Sequence, residues 1–130
     1  MLLTDFLKKS AQKYSAHPAL TMRMGYRTTT LTYAQVYEQA IKVAVFLQQQ
    51  GLRKGDCVVV LAPNSPYWVC LFWGCLLAGV IIVPVTTQST FEMVQRFVNH
   101  TEAPLFFKYR ACHYQPTGVK TYDIDRKSVV

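Results

Sequence analysis

Apolar positions along the chain divide it into helical and strand-like stretches. Leu3, Phe6, Leu7, Ala11 and Tyr14 recur at helical spacing with Lys8, Lys9, Gln12 and Lys13 between them, so an amphipathic helix opens the sequence. His17-Pro18 ends it, because the residue before a proline is pushed out of the helical region. Ala19 to Met24 and Thr28 to Leu31 alternate in polarity and predict two short strands turning over Gly25-Tyr26. Thr32 and Gln35 then form a capping box, Leu31 is placed to staple onto Val36, and Gly51 supplies the C-terminal stop of a second helix. Val36, Ala40, Val43, Ala44 and Leu47 make its apolar stripe, and Gln39, Lys42 and Gln49 are expected to face outward.

From Asp56 the pattern changes. Cys57-Val58-Val59-Val60-Leu61 is a continuous apolar run, which reads as a strand covered on both faces and hence as part of a parallel sheet. Ser65 and Pro66 start a helix that runs to Ala78 and closes at Gly79. That helix is apolar nearly all round, with Trp68, Val69, Leu71, Phe72, Trp73, Leu76 and Leu77 leaving no polar face, so both of its sides are expected to be covered. Val80 to Val83 predicts a second fully buried strand with Pro84 at its end. Ser89 and Glu92 suggest another capping box before a helix carrying Phe91, Val94, Phe97 and Val98, and Pro104 to Tyr109 offers a third strand. Short connections between alternating strands and helices demand right-handed crossovers and a doubly wound, parallel α/β layer. The expected organisation is therefore one subdomain over residues 1–130. Helix, hairpin and helix occupy 1–54, a βαβαβ layer 55–109, and a loop with one more strand, Val119 to Ile124, 110–130.

Composition sharpens this picture. Of 130 residues 51% are apolar and only 16% charged, against about 25% charged in an ordinary domain. Intrinsic disorder and coiled coil are excluded. A domain so poor in charge either hides apolar surface against a partner or is one part of a longer chain, and the abrupt end at Val129-Val130 favours the second expectation. The net charge is +7, but its adjacent pairs, Lys8-Lys9, Arg53-Lys54 and Arg126-Lys127, are far apart in sequence. They form no stripe that a nucleic acid would need. Cys57, Cys70, Cys75 and Cys112 lack C-x-x-C spacing, Cys70 and Cys75 do not share a helix face, and three of the four lie in apolar runs. Reduced structural thiols in a cytoplasmic protein are expected rather than a metal site. Asn99-His100-Thr101 matches a glycosylation sequon, yet no signal peptide precedes it, and the longest apolar stretch, Tyr67 to Ala78, is too short to span a bilayer.

In open parallel sheets ligands bind beyond the carboxyl ends of the strands. That edge is predicted to carry Ala62 to Ser65 and Thr86 to Ser89, each leading into a helix N-terminus, and the plain reading is helix caps and a hydrated loop. Gly74-x4-Gly79 has Val80 where a P-loop needs lysine, and no G-x-G-x-x-G occurs. Ser10, Ser15, Ser65, Ser89 and Ser128 show no nucleophile elbow, and His17, His100 and His113 fall in loops or at a helix end. Asp123 and Asp125 alternate along the last predicted strand, most simply as part of a solvated face.

Leu31-Thr32-Tyr33-Ala34-Gln35-Val36, Gly51 to Asp56, and the run GDCVVVLAPNSPYWVCLFWGCLLAGVIIVPVTTQST from Gly55 to Thr90 resemble the beginning of the adenylate-forming enzymes, which include acyl-CoA synthetases, luciferases and adenylation domains of peptide synthetases. The resemblance covers about Leu3 to Tyr109 and is most similar to fatty-acid-type acyl-CoA ligases. It implies a parent that activates a carboxylate with ATP to an acyl-adenylate and passes the acyl group to coenzyme A or a carrier thiol. The family's phosphate loop with its lysine, its nucleotide-binding acidic residues and its C-terminal lysine lie downstream of the matched region. The resemblance thus implies ATP, Mg and coenzyme A for the parent and no cofactor for these residues. No catalytic, cofactor-binding or metal residue is carried over. Expected partners are the rest of the parent chain and, through bare apolar surface, further copies of this one. The competing expectations are a free-standing α/β module that grips a protein or membrane with its Trp68 to Leu77 surface, and a piece of a peptide-synthetase-type adenylation domain.

Overall fold

The computed structural model describes residues 2–125. Val129-Val130, the Arg126-Lys127 pair and Ser128 lie outside the described residues. The element order is α1 (Leu3–Lys13), β1 (Pro18–Met24), β2 (Arg27–Thr32), α2 (Tyr33–Gln49), β3 (Cys57–Leu61), α3 (Pro66–Ala78), β4 (Ile81–Val85), α4 (Phe91–Thr101), β5 (Leu105–Lys108) and β6 (Lys120–Asp123). β1 and β2 form the expected antiparallel hairpin, with Leu20 opposite Leu31 and Met24 opposite Arg27. The other four strands form a second sheet in the order β4-β3-β5-β6, and every pair in it is parallel.

Chain direction explains the layering. The step from β3 to β4 and the step from β4 back past β3 to β5 run in opposite directions along the sheet, so crossovers of one hand place their helices on opposite faces. Side chains confirm it. Val58 and Val60 of β3, with Leu105 and Phe107 of β5, pack against Val43 and Leu47 of α2 and Leu71 and Cys75 of α3. The alternating residues Val59, Leu61 and Phe106 pack against Val94 and Val98 of α4. A third cluster of Leu7, Val36, Ala40 and Cys70 joins α1, α2 and α3, with Leu20 and Leu31 of the hairpin laid on it. Cys70 and Cys75 therefore serve different clusters, as their spacing predicts.

Local signals account for the helix starts. Thr32 Oγ1 accepts the Gln35 amide at 3.2 Å and Gln35 Oε1 accepts the Thr32 amide at 2.9 Å, the predicted capping box. Ser65 Oγ accepts the Trp68 amide at 3.2 Å, and Gly79 ends α3 in the left-handed region at φ 73°. α2 and α3 cross closely. A Cβ built on Gly74 would lie 2.4 Å from Val43 Cγ1, so only hydrogen fits there.

Several expectations need correction. β4 is an edge strand rather than a fully buried one: Ile81 is 52% exposed, and Pro84 lies inside the strand opposite Val60 instead of at its end. An edge position tolerates the missing amide donor. The cap of α4 is Thr90, whose Oγ1 accepts the Met93 amide at 3.2 Å, not Ser89 with Glu92. Two hydroxyl residues in succession can each cap, and the helix takes the later one. On α4 only Val94 and Val98 are buried, whereas Phe91 and Phe97 are exposed. Gln39 faces inward, because the hairpin folds over its flank of α2. α3 is covered by the sheet at Leu71 and Cys75 and by α1, α2 and the hairpin at Cys70, but Trp68, Phe72 and Trp73 remain half-buried and lean on one another, with Trp68 and Phe72 stacked at 5.7 Å.

β5 and β6 are parallel neighbours joined without a helix. The intervening loop is held onto α4 by Gln95, whose Oε1 accepts the Thr117 amide at 2.9 Å and whose Nε2 donates to Asn99 Oδ1 at 2.9 Å and to the Thr117 carbonyl at 3.2 Å. Phe91 stacks on Tyr114 of the same loop at 4.3 Å.

Candidate functional site

The carboxyl ends of β3 and β4 open into a cleft of about 330 Å³ between the loop that enters α3 and the loop that enters α4. Asn64, Trp68, Thr86 and Thr87 line it together with Ala62, Pro63 and the end of β4. This is the edge whose two loops the sequence reads as helix caps and a hydrated loop, although sheets of this kind bind ligands there, and the parallel register of β3 on β4 is what brings those loops together. The second loop is a tight turn: the Ser89 amide donates to the Thr86 carbonyl at 3.0 Å and the Gln88 amide to Thr86 Oγ1 at 3.3 Å. Ser65 and Thr90 spend their hydroxyls on helix caps, while Ser89 Oγ is shut off from solvent with no hydrogen-bond partner among the described residues. Among the described residues no charged side chain lines the cleft. Its chemistry is that of neutral hydroxyl, carboxamide and backbone groups beside an indole. A triphosphate with its divalent ion needs cationic and carboxylate partners, so the cleft does not fit ATP and Mg.

The paired-carboxylate expectation is corrected as well. Asp123 is not on a solvated face: it lies beside Lys108, with Nζ 2.6 Å from Oδ1 and both side chains largely buried. Asp125 falls past the end of β6, and its Oδ1 is buried with no hydrogen-bond partner among the described residues. Lys108 is the residue that sequence reasoning passed over. Only the register of β5 on β6, which sets Lys108 opposite Asp123, could have signalled it.

The remaining candidates are not assembled into a site. His17 lies beside Tyr14 with the rings tilted at 31° and 5.5 Å apart, His100 lies in the last turn of α4 and His113 in the following loop. Among the described residues no group of three or more His, Cys, Asp or Glu is placed to hold a metal ion. All four cysteines are free, and burial pushes the thiols of Cys70 up to about 11 and Cys75 to about 12, which leaves them protonated at neutral pH. The sequon at Asn99 lies inside α4. No helix among the described residues is long and apolar enough to cross a membrane.

Comparison with known proteins decides the family. The model of the AMP-binding enzyme family matches residues 7–129, nearly the whole chain. The chain belongs to the AMP-binding enzymes. Relatives of this family member include the long-chain-fatty-acid–CoA ligase ACSBG2 of Mus musculus, 32% identical over 105 residues, and a long-chain-fatty-acid–CoA ligase of Bacillus subtilis (strain 168), 36% identical over 93 residues. These alignments cover 81% and 69% of this chain but only 16% of either relative. Among solved structures, the fatty acid AMP ligase of Legionella pneumophila superposes with a TM-score of 0.81 at 22% identity, covering 94% of this chain and 23% of that one. The N-terminal subdomain of Klebsiella oxytoca NpsA gives 0.80 at 20% identity, covering 94% and 31%. At those identities the structures speak to the fold, and they agree with the parallel, helix-flanked sheet described above.

Proposed function

We propose that this chain is the N-terminal part of an ATP-dependent acyl-CoA synthetase of the fatty-acid type, which activates a fatty acid as its acyl-adenylate and then forms the thioester with coenzyme A. The observation that carries this reading is the 32% and 36% identity to two long-chain-fatty-acid–CoA ligases, each matched over a short part of its length. Residues 1–130 alone are inactive in this reading. The strand-end cleft supplies one uncharged wall of a larger site, and no residue among those described is assigned to catalysis, to ATP, Mg or coenzyme A, or to a metal. The half-buried flank of α3 and the bare edge of β4 are where the rest of the parent chain packs, and when it is missing the same surfaces drive association of copies. The parent works in the cytoplasm.

The test begins with the reading frame beyond Val130. Complete protein and residues 1–130 are then assayed side by side for ATP–pyrophosphate exchange with fatty acids of several lengths. Exchange by the complete protein and none by residues 1–130 is expected. Exchange by the short chain refutes its inactivity, and a stop codon after Val130 refutes the ligase reading in favour of a free-standing interaction module.

A further inference from the structure

The outer side of α1 carries an unexplained surface. Leu2, Leu3 and Phe6 are 72%, 54% and 56% exposed, although Ala11 of the same helix is buried and Leu7 is buried against α2 and α3. Phe6, Lys9 and Lys13 follow at steps of three and four residues, which puts them in one line along the helix, and Leu2 caps the helix at the N-terminal end of that line. That line is apolar over its N-terminal half and basic over its C-terminal half. The acidic residue of α1 is engaged at home: Asp5 Oδ2 accepts the Leu2 amide at 2.9 Å and lies in the first turn, where the helix dipole favours it. Lys8, Lys9 and Lys13 are all exposed, on a chain whose net charge is +7.

We propose that α1 docks this chain onto an anionic lipid surface, with Leu2, Leu3 and Phe6 entering the headgroup boundary and Lys9 and Lys13 lying against the phosphates. Charge complementarity argues for the occupant: exposed ammonium groups continue the line of the apolar side chains, so a single contact satisfies both only if the partner is apolar beneath and negatively charged above. A bilayer rich in anionic lipid has that profile. A nucleic acid would engage the lysines and leave Leu2 and Leu3 in water. With three apolar side chains and two or three lysines the contact is weak, reversible and salt-sensitive, and it lies on the membrane without spanning it. The proposal stands apart from the ligase reading, since nothing in it depends on nucleotide or acyl chemistry.

Sedimentation with vesicles tests it, using phosphatidylcholine alone and phosphatidylcholine mixed with phosphatidylglycerol. The chain is expected to bind the mixed vesicles, to be released by raised salt, and to bind phosphatidylcholine alone at least tenfold less. Lys9→Gln with Lys13→Gln should weaken binding by about fivefold per lysine, and Phe6→Ser or Leu2→Ser by about tenfold. These side chains are exposed, so the variants keep the fold, and Phe91→Ser on α4, 62% exposed at a different surface, should bind as the parent does. Failure to bind the mixed vesicles, equal binding to both kinds, or a loss in Phe91→Ser as large as in Phe6→Ser each overturns the proposal.

Discussion

Gly74 is the point at which the packing of α2 on α3 is most exposed to experiment. A Cβ at this position would lie 2.4 Å from Val43 Cγ1, 2.5 Å from Val43 Cβ and 3.0 Å from the Ala40 carbonyl oxygen. Carbon atoms rest at roughly 3.5–4.0 Å, so the two helices must separate by about 1 Å. No rotamer change relieves this, because the Cβ and the carbonyl are fixed to the backbone of α2. Overpacking of this kind costs about 1–3 kcal/mol, and the rigidity of the opposing atoms places Gly74→Ala near the upper end. Against that stands a gain of about 1 kcal/mol from replacing a mid-helix glycine by alanine. The net expectation is a loss of about 2 kcal/mol, read as a lower midpoint of urea unfolding with an unchanged slope. Combining it with Val43→Ala removes the nearest methyl while leaving the Cβ, so the double variant should be more stable than the sum of the single effects by about 1 kcal/mol. A stabilised Gly74→Ala protein would falsify the close approach, since propensity alone predicts that sign.

Gln95→Ala removes the anchor that holds the β5–β6 loop on α4. It should cost about 1–2 kcal/mol and raise hydrogen exchange at the Thr117 amide, which Gln95 Oε1 accepts at 2.9 Å; an unchanged exchange rate there refutes the anchor. Burial raises the folded-state pKa of Cys70 to about 11 and of Cys75 to about 12 from 9.0. Their stabilising contribution is therefore complete below pH 9 and is lost as pH rises through that interval, because only the unfolded chain releases those protons. Stability measured from pH 8 to 11 should fall less steeply in a Cys70→Ala, Cys75→Ala variant, and parallel curves would count against buried thiols. Lys108→Met leaves the largely buried Asp123 carboxylate without its lysine and should cost about 1–3 kcal/mol. A change within 0.5 kcal/mol, the usual range for surface substitutions, would mean that the pair is solvated.

Much of the architecture is legible because the signals are local. Thr32 with Gln35, Ser65 with Pro66, and the glycines after α2 and α3 each fix a helix end through atoms a few residues apart, and they fall where expected. Continuous apolar runs at β3 and β5 mark strands covered on both faces. The misses are non-local. Val80 to Val83 reads like a central strand, but strand order decides which run becomes the edge, and no local pattern encodes order. Gln39 looks like a surface residue on a helical wheel until the hairpin is folded over it. Lys108 and Asp123 are fifteen residues apart and meet only through the register of two parallel strands. Topology points to the strand ends as the edge where such sheets bind ligands, yet the cleft there and its uncharged lining are visible only with side chains in position.

The two tryptophans of the chain, Trp68 and Trp73, both lie on α3 and both sit on its half-buried flank. They form an optical probe of whether that flank has a neighbour in the complete protein. Trp68 stacks on Phe72, and Phe72 meets Trp73 edge-on at 5.5 Å, so the aromatic row screens itself but keeps contact with water. Burying such side chains is worth about 1.5–3 kcal/mol each, which gives a parent chain good reason to cover them. If the ligase reading is right, residues 1–130 should emit at longer wavelength than these same two tryptophans do in the complete protein, with other tryptophans replaced, and acrylamide should quench them more strongly. Matching emission and quenching in the two proteins would mean that the flank stays bare in the parent, and the composition of α3 would then need another cause.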